Sequence, residues 1–331
     1  MTYRIMFDSG RGTVGSMRVV IAGRADAADV AALRAAHPGV DLVQAPREEL
    51  TAAIAAADAV YALGLTPEQF RAARRLRWVQ SQGAGVEWIA ACPEVIESAV
   101  TVTNTRGAHA QTIAEHAFAM LLSRTRGMDE FIAAKARGAW TRASRPLIGL
   151  SGMTMGVIGL GRIGGAVAQR AAGFDMRVLA LDANDVPRPA YVERLWGLEG
   201  LTDLLAASDV VTVAIPITAE TRGLLGAAQL AAMRPGAFLL VMSRGGIVDE
   251  AAVAAALHAG RLGGAGMDVF SQEPLPAESP LWGAPNLIIT PHSSGSSRQT
   301  TALAWSIFAE NLGRFVRGEP LENVVDKRKG Y

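Results

Sequence analysis

The chain has 331 residues, enough for two ordinary domains with sizeable cores. Its 32 basic and 31 acidic residues leave a formal charge of +1, so there is neither the basic excess of a nucleic-acid binder nor an acidic disordered tail. The single cysteine, Cys92, excludes a disulfide scaffold or a multi-thiolate metal site within one chain, and no apolar run approaches the roughly 20 residues of a membrane span. A cytoplasmic protein without membrane, metal or nucleic-acid partner is the expectation.

Residues 1–16 precede the first strand-like run and leave three readings open: an extra strand, a flexible extension, or a mis-chosen start codon. Strands are then predicted at 18–22, 41–44, 58–62, 77–80 and 101–104, with helices such as 26–36 and 50–56 between them. That alternation is the signature of a parallel sheet. Residues 111–135 read as one long helix, with apolar residues three and four apart. A Pro/Gly-rich stretch runs from Gly138 to Gly152. A second series of six strands follows at 154–159, 177–181, 210–214, 237–242, 263–267 and 286–290. The final segment, 297–317, is an amphipathic helix with no strand after it. It is expected to pack back on the first domain, which makes that domain discontinuous.

Residues 159–164 read Gly159-Leu160-Gly161-Arg162-Ile163-Gly164. A G-x-G-x-x-G alone is weak evidence, but this one follows a strand-like run and opens a helical one. The next strand ends in Asp182, near the offset of about 20 residues expected of a ribose-binding acid. Gly159 permits the tight turn, Gly161 lets backbone approach a pyrophosphate, and Gly164 allows close helix–strand packing. The helix N-terminus offers N–H groups and partial positive charge to the phosphates. Asp182 accepts from ribose hydroxyls and repels a 2′-phosphate, so NAD is expected rather than NADP. A plain strand–helix turn and an ordinary loop acid are the bland readings.

Three further stretches begin where predicted strands end: SRGGIVDE (243–250), GAGMDVFSQEP (264–274) and TPHSSG (290–295). In an open α/β sheet that edge binds ligands. Arg244, Asp268, Glu273 and His292 are therefore expected to converge on one crevice. Arg244 offers a cation to a carboxylate, His292 a proton to an oxygen, and a nicotinamide cofactor a hydride. Each side chain also has a plainer reading, as surface arginine, helix-capping acid, loop acid or structural histidine. Glu115 and His116 look like a second acid–base pair and are read as structural or interdomain residues.

These motifs, with PITAETRGLLG (216–226), QGAGVEW (82–88) and TIAEHAFAMLL (112–122), resemble the D-isomer-specific 2-hydroxyacid dehydrogenase family from about residue 17 to about 325. The resemblance implies an α/β fold of two doubly wound parallel-sheet domains. A Rossmann NAD-binding domain, 111–295, is inserted into a flavodoxin-like substrate domain, 1–110 and 296–331. It implies an NAD-dependent oxidoreductase interconverting a small 2-keto acid and its D-2-hydroxy acid, with glyoxylate or hydroxypyruvate as the leading substrates.

The resemblance further implies that His292 is the acid/base, that Glu273 holds its imidazole, and that Arg244 binds the substrate carboxylate and polarises the carbonyl. Backbone N–H groups around Ala84 and Gly85 bind the same carboxylate. Asp268 takes the nicotinamide carboxamide, and Arg162 and Ile163 contact the pyrophosphate through their backbone. Thr112, Ile215, Met242 and Ser243 line the cofactor. Domain closure over the cleft excludes water. A homodimer is implied, in which Trp140 either reaches a partner's pocket or fills an interface or core.

Glu273 stands where formate dehydrogenases of similar sequence have glutamine, and Ala84 where phosphite dehydrogenases have lysine. Both substrates are thereby disfavoured. The sequence is also read as lacking the C-terminal regulatory domain of longer phosphoglycerate dehydrogenases. The alternative reading is an NADH-sensing, corepressor-like binding protein of the same fold.

Overall fold

The computed structural model describes residues 16–23 and 25–330; the expectation for residues 1–16 falls, apart from Ser16, outside them. Two compact units emerge. One runs up to Ala108 and resumes at Arg298, and the other is His109–Ser297.

The first unit holds β1 (Met17–Ala22), β2 (Val40–Ala45), β3 (Ala59–Ala62), β4 (Trp78–Ser81) and β5 (Thr101–Thr103), all parallel, in the order β2-β1-β3-β4-β5. This is the flavodoxin-like order. Both faces of a parallel sheet are covered, so its strands read as unbroken apolar runs. Successive side chains go to opposite faces. Val20, Val60 and Val79 enter one core, while Val19, Ile21, Tyr61 and Trp78 enter the other. The Arg298–Arg317 helix covers the second face. Its Phe308 is fully buried and stacks on Tyr61 with ring centroids 4.4 Å apart. On the same helix, buried Asn311 donates to Gln80 Oε1 at 3.0 Å, an acceptor it shares with Thr103 Oγ1 at 2.8 Å.

The second unit holds β6 (Thr154–Ile158), β7 (Arg177–Leu181), β8 (Arg194–Trp196), β9 (Val210–Val213), β10 (Ala237–Val241), β11 (Leu262–Met267) and β12 (Leu287–Ile289). They form one parallel sheet in the order β12-β11-β10-β9-β6-β7-β8. This is the Rossmann order with a seventh strand, and the order in which successive strands are laid down reverses between β6 and β9.

Two expectations need correction. The second sheet has seven strands, not six. β8 leaves no signal in the sequence because it is a three-residue edge strand beginning with exposed Arg194, and so carries no apolar run. The predicted 111–135 helix is two helices, Ala110–Thr125 and Met128–Ala136. Gly127 breaks it, with φ 67, a left-handed conformation that glycine adopts without a Cβ penalty.

Among the described residues no helix is long and apolar enough to cross a membrane. No group of three or more His, Cys, Asp or Glu among them is placed to hold a metal ion.

Candidate active site

The glycine loop sits at the switch point of the second sheet. β6 is followed at once by Gly159, whose φ of 93 suits glycine. A Cβ there would lie 2.6 Å from Ile215 Cγ2 and 2.9 Å from the Ala214 carbonyl oxygen, both in the segment leaving β9. A Cβ on Gly164 would fall 1.8 Å from the Gly159 oxygen. These two glycines therefore let the Arg162–Gly173 helix start hard against its strand. Gly161 is different: it is exposed, and a Cβ there would meet nothing within 4 Å. It is also the N-cap, and no side chain caps the helix. The first turn thus presents backbone donors and the positive end of the helix dipole to open space at Gly161 and Arg162. A pyrophosphate fits that cradle.

Asp182 follows β7 beside this loop. Its Oδ2 accepts the Leu160 N–H at 2.8 Å, and its Oδ1 accepts the Asn184 amide at 2.9 Å. The carboxylate is fixed next to the glycines yet only half-buried, as a ribose acceptor must be. Around the same edge, Ile215 is half-buried, Met242 and Ser243 are buried, and Thr112 Oγ1 lies 3.2 Å from Ser297 Oγ. Ser243 Oγ is buried without a hydrogen-bond partner, an unusual cost that a polar ligand at this edge would remove. The donor set and the bare helix start fit a dinucleotide.

The reactive side chains follow the next three strands. Arg244 leaves β10 half-buried, with Nη1 donating to the Ser243 carbonyl at 2.7 Å. The neighbouring Gly245 is pressed against the Phe270–Ser271 peptide: a Cβ there would lie 1.9 Å from the Phe270 oxygen. That packing ties the arginine loop to the segment leaving β11. In that segment Glu273 Oε1 accepts the Phe270 N–H at 2.9 Å, while Oε2 lies 2.7 Å from His292 Nδ1. A carboxylate only accepts, so Nδ1 carries the hydrogen. Nε2 is then the nitrogen available for proton exchange. About half of the His292 side chain is solvent-exposed, at 48%.

His292 has φ 51, the left-handed region that a residue with a Cβ enters at a cost. Asp268 holds it there. The Asp268 carbonyl accepts the His292 N–H at 2.8 Å. Its carboxylate accepts the N–H groups of Ser293 and Ser294, each at 2.9 Å, and the Thr290 hydroxyl at 2.5 Å. Asp268 is fully buried, so three of its roughly four lone-pair directions are already used inside the chain.

Ala84 and Gly85 lie in the loop after β4, in the other unit. Their carbonyls are engaged by Asn104 Nδ2 at 2.8 Å and Ser81 Oγ at 3.4 Å, which fixes the orientation of these peptides. One neighbour of the site has no motif around it. His109 precedes the Ala110–Thr125 helix, with Nδ1 3.3 Å from the Gly295 carbonyl. Burial, and secondarily the Arg244 charge, hold its pKa below the usual histidine value against that hydrogen bond. Only its place among five histidines marks it in the sequence.

Residues 118–294 match the family model described as D-isomer specific 2-hydroxyacid dehydrogenase, NAD binding domain. A glyoxylate reductase of Korarchaeum cryptofilum is 39% identical over 78% of this chain and 79% of its own length. A D-3-phosphoglycerate dehydrogenase of Archaeoglobus fulgidus is 35% identical over 85% of this chain, which spans only 53% of that longer protein. The crystal structure of a D-isomer specific 2-hydroxyacid dehydrogenase from Xanthobacter autotrophicus, in complex with NADPH and MES, is 32% identical with a TM-score of 0.79, covering 96% of this chain and all of that one. By sequence and by fold, the chain belongs to the D-isomer-specific 2-hydroxyacid dehydrogenase family.

Proposed function

We propose that the chain reduces a small 2-keto acid to its D-2-hydroxy acid with NADH, and catalyses the reverse reaction with NAD. The observation that carries this reading is the 2.7 Å His292–Glu273 pair, placed on the same sheet edge as the uncapped glycine loop. The bound cofactor supplies the hydride. Gly159, Gly161, Arg162, Ile163 and Gly164 hold its pyrophosphate, and Asp182 its ribose. Thr112, Ile215, Met242 and Ser243 line it, and the remaining lone pair of Asp268 is assigned to the carboxamide.

Arg244 binds the substrate carboxylate with its forked donors and draws charge toward the carbonyl oxygen. The amides of Ala84 and Gly85 are assigned to the same carboxylate. His292 Nε2–H donates its proton to the carbonyl oxygen as that oxygen gains charge. Glu273 holds the Nδ1–H of the imidazole and keeps its ring oriented, with Nε2 toward the substrate. In the reverse direction Nε2 takes the hydroxyl proton.

Glyoxylate and hydroxypyruvate are the proposed substrates, supported by the similarity to a glyoxylate reductase. A homodimer is supported by exposed apolar side chains gathered on one segment: Met128, Ile132, Trp140 and Leu147. The cytoplasm, which holds the reduced cofactor, is the proposed location.

A panel of keto acids, with NADH and NADPH consumption followed separately, tests the reading. Rapid turnover of glyoxylate or hydroxypyruvate with NADH is expected. Asp182→Ala is expected to narrow the NADH-over-NADPH preference in kcat/KM by about tenfold or more, the worth of hydrogen bonds to a charged acceptor plus relief of repulsion. Tight NADH binding without turnover of any keto acid would instead favour the sensing role.

A further inference from the structure

The Ala110–Thr125 helix packs very closely against β11. A Cβ on Gly266 would lie 2.7 Å from Met120 Sδ and 3.0 Å from Met120 Cβ, so only a glycine strand residue lets the helix come this near. One helical turn before Met120, on the same face, stands His116. The close approach brings its ring to the ends of β11 and β12. His116 Nε2 lies 3.0 Å from Thr290 Oγ1, and 4.0 Å from Asp268 Oδ1.

The direction of these bonds follows from the chemistry. The Asp268 carboxylate only accepts, so the Thr290 hydroxyl gives it its hydrogen at 2.5 Å. The Thr290 oxygen is then an acceptor toward His116, whose donor must sit on Nε2. Donation runs from His116 to Thr290 to Asp268. At the far end Asp268 is fully buried: its carboxylate accepts the amides of Ser293 and Ser294, and its backbone carbonyl accepts the amide of His292. A buried carboxylate needs every one of its donors. By holding Ser293 and Ser294, the carboxylate fixes the backbone that follows His292 and so supports its left-handed conformation.

We propose that His116 and Thr290 are positioning residues for the reaction: they fix the Asp268 carboxylate and, through it, the backbone that aims His292 at Glu273. The proposal rests on the reading of His292 as the acid/base. Neither residue needs to touch substrate or cofactor for this role.

The test compares four single variants of the full chain, Thr290→Val, Thr290→Ser, His116→Leu and His292→Gln, by steady-state kinetics with hydroxypyruvate and by NADH fluorescence. Thr290→Val and His116→Leu are each expected to lower kcat about 10- to 100-fold, with little change in KM and with NADH still bound. Thr290→Ser keeps the hydroxyl and is expected to return kcat to within about threefold of the parent. The double variant Thr290→Val/His116→Leu is expected to be little worse than the poorer single, because the two residues act in series. Parental kcat in both Thr290→Val and His116→Leu, beside an inactive His292→Gln, would overturn the proposal alone. Equal loss in Thr290→Ser and Thr290→Val, accompanied by loss of NADH binding, would make the pair merely structural and overturn it too. Parental kcat in His292→Gln would overturn the acid/base reading, and this inference with it.

Discussion

Replacing His292 with glutamine is expected to lower kcat for keto-acid reduction by about 10²- to 10⁴-fold, the usual worth of a positioned general acid. Glutamine retains an amide donor that Glu273 can hold, so the loop keeps its partner across the 2.7 Å contact. What it loses is a nitrogen that can carry and release a proton near neutral pH. The backbone conformation at φ 51 is a constraint shared by histidine and glutamine, since both have a Cβ. The expected signature is therefore a fall in kcat with NADH affinity nearly unchanged, read by steady-state kinetics beside cofactor fluorescence. The glycine loop and Asp182 lie on other strands and are untouched by the change.

Arg244→Lys is the second large effect. A loss of about 10²- to 10³-fold in kcat/KM is expected, comparable to removing one preorganised donor from a developing oxyanion. The charge survives, yet the geometry does not. Arg244 spends Nη1 on the Ser243 carbonyl at 2.7 Å, and a guanidinium carries its five N–H donors in one planar fork. Lysine has one compact ammonium and cannot hold the loop and grip a planar carboxylate together. Both a higher KM for the keto acid and a lower kcat are expected, because the arginine is assigned to the carboxylate in the ground state and to the carbonyl as charge develops. Initial-rate kinetics over a range of keto acid separates the two. An unchanged KM would remove Arg244 from the carboxylate.

Most of the architecture is legible in the sequence because both sheets are parallel and covered on both faces. Runs such as Ala237–Val241 are buried throughout and read as strands without alternation. The final helix is legible because it is amphipathic and has no strand after it; Phe308 and Leu312 supply its buried stripe. β8 is not legible, since an edge strand of three residues has too little to bury. The division of the long helix at Gly127 is masked by apolar periodicity that continues on either side of the break.

In the candidate site the same distinction holds. The glycine loop is legible because each glycine answers a local demand: a turn at Gly159, a strand contact at Gly164 and an open face at Gly161. The contact between Glu273 and His292 is implied by family resemblance and present in the structure. His109 and the Thr290–His116 contact are a different matter. The latter joins residues 174 positions apart through a close helix–strand approach that no local pattern encodes. The three hydrogen bonds to the Asp268 carboxylate likewise depend on the path of the loop after β12, not on the residues flanking Asp268.

The most direct test of the account is transfer of label from cofactor to product. The protein is incubated with NADH carrying deuterium at both positions of nicotinamide C4 and with hydroxypyruvate, and the product is examined by mass spectrometry and chiral analysis. D-glycerate carrying deuterium at C2 is the predicted result. Unlabelled product, or product of the L configuration, would contradict direct hydride transfer to a keto acid held as proposed.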